Sequence, residues 1–121
     1  MKRRSFRKLK SDGEARQHHS VYVVLLDEAA RKMAPRRARK RASLELKPCV
    51  YVGMTGLTPE ERFENHKNGV KAARVTKLHG IQLLPELFEH LNPMPYEAAL
   101  RMEADLAEDL RAEGYCVFGG H

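Results

Sequence analysis

Apolar and polar positions alternate along the chain in blocks that mark out most of its elements. The unbroken apolar run at 21–26 (Val-Tyr-Val-Val-Leu-Leu), closed by Asp27-Glu28, predicts a buried strand. A shorter run at 49–52, stopped by Gly53, predicts a second. Between them, residues 29–47 form a basic, Ala-containing excursion expected to be partly helical. Thr58-Pro59-Glu60-Glu61 is a helix start: Thr58 can cap, Pro59 suits the first helical position and Glu61 completes a capping box. That helix should run to Asn68 and end at Gly69, and a second should run over 71–79 to Gly80. Residues 83–91 read as an alternating strand, pushed toward a sheet edge by Pro85. After Asn92-Pro93-Met94-Pro95, residues 96–113 predict a long amphipathic helix ended by Gly114, and 115–118 a last short strand. The sum is one α+β domain at 18–121, with three or four strands and about three helices, behind an N-terminal arm at 1–17.

Charge changes this picture because it is unevenly placed. The 121 residues hold 22 Lys and Arg against 16 Asp and Glu, a formal net charge of +6. Residues 2–16 carry seven basic side chains, among them Arg3 and Arg4. Residues 31–47 carry eight more, concentrated in Arg36, Arg37, Arg39, Lys40 and Arg41. Residues 86–113 reverse the balance, with eight acidic side chains against Arg101 and Arg111. The two basic segments are candidates to track the phosphates of a nucleic acid, where each neutralised phosphate releases counterions. No apolar run approaches the roughly 18 residues of a membrane helix. The basic start is not followed by the apolar stretch of a signal peptide, so a cytoplasmic protein is expected. Cys49 and Cys116, both in apolar runs and without C-x-x-C spacing, read as buried thiols of a reducing compartment.

Candidate chemistry sits where polar residues interrupt apolar faces. On the last helix, Tyr96, Ala99, Leu100, Leu106, Ala107 and Leu110 share one side at 100° per residue, and Glu103 falls in the middle of that stripe. A carboxylate facing a core is paired, neutral or metal-bound. Arg62 is a candidate partner, as is a backbone amide. Arg62 and His66, four apart on the capped helix, project from one face. An arginine and a histidine together suit a phosphate and a water or leaving oxygen. Tyr22 and Tyr51 lie on the two first strands; His18, His19 and His121 show no metal-ligand spacing.

The order of these pieces is more specific than any one of them. Ser20-Val21-Tyr22 on one strand, Tyr51-Val52-Gly53 on the next, then Arg62, His66 and a late helical Glu103 resemble the GIY-YIG nuclease family over about residues 20–116. Ser20 stands at the family's first glycine, and Val21 and Val52 at its isoleucines. The gap between the tripeptides is about twice the usual one because of the basic segment. Met54 occupies a position where many members have lysine, and the family's C-terminal asparagine has no clear match.

The resemblance implies a small three-stranded, mainly antiparallel sheet flanked by about three helices, and metal-dependent hydrolysis of a phosphodiester bond, with DNA favoured over RNA. It implies that Glu103 binds one divalent cation, Mg²⁺ or Mn²⁺, and that Arg62 offsets charge on the phosphate. Tyr22 becomes the candidate general base, His66 a helper or relay, and Tyr51 an orienting hydroxyl. Two other readings stay open: a non-catalytic nucleic-acid-binding module on the same fold, and an interaction protein that docks through its acidic last helix.

Overall fold

The apolar run at 21–26 becomes the centre of the molecule. Strand β1 (Ser20–Leu26) has Val21, Tyr22, Val23 and Val24 all buried, so both faces of the strand are covered. That explains a continuous apolar run in place of alternation. The structure is a computed structural model and describes residues 17–34 and 47–120. The basic positions Arg3, Arg4, Arg36, Arg37, Arg39, Lys40 and Arg41, and the proposed arm at 1–17 apart from Gln17, lie outside the described residues.

β2 (Cys49–Thr55) pairs antiparallel with β1, from Ser20 opposite Thr55 to Leu26 opposite Cys49. β3 (Gly80–Leu83) pairs antiparallel on the other side of β1, and β4 (Cys116–Gly119) pairs parallel with β2. The sheet is therefore mixed and four-stranded, ordered β3-β1-β2-β4, where three mainly antiparallel strands were expected. The fourth strand is the short one expected at 115–118, and its parallel seat follows from the last helix, which carries the chain back so that β4 runs alongside β2. Pairing across that sequence distance has no local signal.

Among the described residues there are three α-helices: α1 (Pro59–Lys67), α2 (Arg74–His79) and α3 (Tyr96–Ala112). At the start of α1 the Glu61 N–H donates to Thr58 Oγ1 at 3.1 Å and the Thr58 N–H donates to Glu61 Oε1 at 3.0 Å, completing the capping box. Gly69 (φ 81°) and Gly114 (φ 105°) take the left-handed conformation just beyond α1 and α3, where a side chain would be strained. α1 and α2 lean on β1 and β3; α3 leans on β2 and β4.

Two expectations fail locally. Residues 83–91 are not a strand: β3 ends at Leu83, and 3₁₀ turns follow at Pro85–Leu87 and Glu89–Leu91. Leu84, Leu87, Phe88 and Leu91 repeat at three- and four-residue spacing, which suits such turns and masquerades as alternation over a short window. Gly53 does not stop β2 but continues it, because the Tyr22 ring crosses above it on the neighbouring strand. In the basic segment, a 3₁₀ turn at Glu28–Met33 opens behind Asp27, and the Arg31 guanidinium donates to the Lys47 carbonyl at 2.8 Å. Cys49 and Cys116 are buried thiols directly opposite one another in the β2–β4 ladder. No described helix is long and apolar enough to cross a membrane.

A methyl group added at Gly53 would sit 2.5 Å from the Tyr22 hydroxyl oxygen. Gly53→Ala should therefore cost about 1–3 kcal/mol, the usual penalty for overpacking. Urea unfolding measures it, and a midpoint equal to wild type would mean the Tyr22 ring has room to move.

Candidate active site

Tyr22 and Tyr51 share one face of the sheet, since Tyr22 lies opposite Gly53 and Tyr51 opposite Val24. Their ring centroids are 6.3 Å apart. A fully buried phenol needs a hydrogen-bond partner, because an orphaned hydroxyl costs about 1–3 kcal/mol. His66, the penultimate residue of α1 and fully buried, supplies it: its Nε2 lies 2.8 Å from the Tyr22 hydroxyl. The same imidazole meets the Tyr51 ring edge to face at 5.5 Å.

The other ring nitrogen decides the proton's place. The Ala73 N–H donates to His66 Nδ1 at 3.1 Å, so Nδ1 is an acceptor and the neutral ring carries its hydrogen on Nε2. His66 thus donates to Tyr22. Burial first, and then the positive charge of Arg62, push the imidazole pKa down to about 4. The relay expected of His66 narrows to a fixed, neutral donor that holds the phenol oxygen.

Arg62, one turn before His66, donates to the carbonyls of Val70 at 3.1 Å and Lys71 at 2.8 Å. These bonds steady the α1–α2 connection, where Lys71 adopts a left-handed φ of 48°. The guanidinium also reaches the Tyr22 hydroxyl, and its charge acts on Tyr51 and His66. Burial raises the Tyr22 pKa well above the ordinary phenol value, Tyr51 adds to the rise, Arg62 opposes it by charge and hydrogen bonding, and Glu103 adds a smaller push. Tyr51 is raised as well, by burial and then by Glu103, against Arg62.

Glu103 is 7% exposed on the apolar stripe of α3, where the sequence put it, and its charge acts on both tyrosines. The five singled-out residues Tyr22, Tyr51, Arg62, His66 and Glu103 therefore belong to one cluster. Among the described residues no three His, Cys, Asp or Glu side chains gather into a group able to hold a metal. A single buried carboxylate is the kind of ligand set a Mg²⁺ takes when it keeps several waters and accepts phosphate oxygens, so the residues present fit that cation.

Some contributors had no signal in the sequence. The Asn92 side chain accepts from the Val21 N–H and donates to the Val21 carbonyl, both at 2.8 Å, standing in for a ladder strand beside Tyr22. It was read only as loop punctuation. Ala73 acts through its backbone alone. Tyr96 and Leu100, read as core, are half-exposed at the start of α3, and Tyr96 stacks edge to face on His19. A groove of about 440 Å³ lined by Leu57, Glu60, Glu61, Glu64 and Asn65 lies on the side of α1 opposite Arg62 and His66, and its carboxylates make it a poor seat for a polyanion.

The His66 pKa gives a pH dependence with a definite sign. The folded value lies below the ordinary 6.5, so the stabilisation is complete above about pH 6.5 and is lost as pH falls toward about 4. Full loss amounts to about 3 kcal/mol. In an NMR titration His66 should stay in the neutral Nε2–H form down to about pH 5, and His66→Gln should flatten the acid limb of urea stability. Protonation of His66 near its ordinary pKa would refute the assignment. No family model, no curated protein and no solved structure matches the chain.

Proposed function

We propose that the chain is a GIY-YIG-type, divalent-metal-dependent endonuclease that hydrolyses phosphodiester bonds of nucleic acid, DNA ahead of RNA. The observation that carries this reading is Glu103: a carboxylate buried on an apolar helix face, within electrostatic reach of the buried Tyr22 and the partly buried Tyr51, both of which also feel Arg62. A buried carboxyl group electrostatically coupled to tyrosines and an arginine is an arrangement that a phosphate-cleaving site uses.

Glu103 would hold the cation, Mg²⁺ or Mn²⁺. When bound, such an ion polarises the phosphoryl group and stabilises the leaving oxygen. The chain's own residues supply the rest. Arg62, anchored by two carbonyls, still has N–H groups to offer the non-bridging oxygens as charge develops there. Tyr22, as phenolate, takes the proton of the attacking water; the donors His66 and Arg62 stabilise that oxyanion. Tyr51 orients the water from the neighbouring strand. The basic segments hold the polymer, and with β4 outermost the GIY-YIG-like core comprises β1, β2 and β3.

The test is cleavage of plasmid, single-stranded DNA, duplex DNA and RNA by the purified chain, with Mg²⁺ or Mn²⁺ and with chelator. Chelation and Glu103→Gln should abolish product while binding and the circular dichroism spectrum persist. Arg62→Ala should cost about 10²–10³-fold in rate, as removal of a transition-state donor does. Because burial keeps the resting Tyr22 phenol protonated, the wild-type rate should climb from about pH 7 to about pH 9 as phenolate forms, and Tyr22→Phe should remove that climb. Undiminished cleavage by Glu103→Gln would take Glu103 out of the mechanism. Salt-sensitive binding without product from the wild type would leave a non-catalytic nucleic-acid-binding module.

A further inference from the structure

We propose that His19 and Tyr96 form a stacking platform for an unpaired nucleobase of the strand whose phosphate occupies the Glu103 site. The inference rests on the nuclease reading and adds to it a preference for substrate with an unstacked base near the cut. Tyr96 is the first residue of α3 and is 50% exposed, although it points along nearly the same direction of the helix as the buried Glu103 seven residues later. The stripe that runs over the sheet at Glu103 therefore overhangs its end at Tyr96. The distance along the helix is about 10 Å, the rise of about three stacked nucleotides. Leu100, one turn on from Tyr96 and also exposed, continues the apolar surface toward Glu103.

The platform is preformed. His19 is held by a two-way backbone bridge to Met94, with N–O distances of 3.0 and 2.8 Å, immediately before β1. Its ring meets Tyr96 at 5.2 Å and 66°, and its other flank is against Gly56, where a Cβ would lie 3.4 Å from Nε2. His19 Nδ1 is shielded from solvent, so one side of the imidazole is packed against the body. A half-exposed Tyr96 packed on a backbone-anchored His19 offers the kind of aromatic surface that sequence-tolerant base stacking uses. Charge points to the same occupant: seven basic residues at 2–16 lead directly into Gln17, His18 and His19, so an anionic strand is drawn to this end of the site.

The test is fluorescence anisotropy with labelled oligo-dT and an abasic oligonucleotide of equal length, in chelator so that nothing is cut. The wild type should prefer oligo-dT by about 5- to 100-fold, the range for stacking one base. Tyr96→Ala should bind oligo-dT only as well as it binds the abasic strand, with abasic affinity unchanged, and Tyr96→Phe should keep the preference. Equal wild-type affinity for the two strands, or an undiminished preference in Tyr96→Ala, overturns the platform; the nuclease reading then stands or falls separately on Glu103→Gln cleavage. A wild type that binds neither oligonucleotide also overturns the platform.

Discussion

A phenol hydroxyl placed inside a sheet must be given a partner, and the region around Tyr22 is arranged to provide one. The partner is His66, whose second nitrogen is in turn satisfied by the Ala73 N–H beyond the end of α1. One imidazole thus ties β1, α1 and the α1–α2 connection together. Arg62 repeats the arrangement one turn earlier, using its fork on the Val70 and Lys71 carbonyls. Gly53 leaves the room above β2 in which the ring lies. Remove His66 and the buried Tyr22 hydroxyl loses this partner, which in an interior of low dielectric is costly.

The same burial that demands these bonds also sorts the charges. It drives the tyrosines toward neutral phenols and the histidine toward neutral imidazole, while Arg62 works against the first and with the second. The effect is a set of neutral rings held between the Arg62 cation and the Glu103 carboxyl group.

Features specified by neighbouring residues were legible in the sequence, and those specified by distant ones were not. The Thr58–Glu61 box, the glycines at 69 and 114 and the burial of Glu103 depend on helix geometry within one or two turns, so spacing alone identifies them. The fate of Gly53 depends on a ring from another strand, and the parallel seat of β4 depends on the path of a 17-residue helix. Asn92 looked like a turn residue because its edge-filling role exists only once β1 is beside it. Exposure at Tyr96 depends on where the sheet stops beneath α3, which no periodicity records.

The bond from Arg31 to the Lys47 carbonyl has a consequence for how such a molecule can change over time. It closes the base of the basic segment against the body, with Glu28 holding the same guanidinium at 2.9 Å. Lengthening a loop already closed at its neck costs little, because closure entropy grows only with the logarithm of length. A change in the number of residues between Arg31 and Lys47 therefore adds little to the cost of closing this neck.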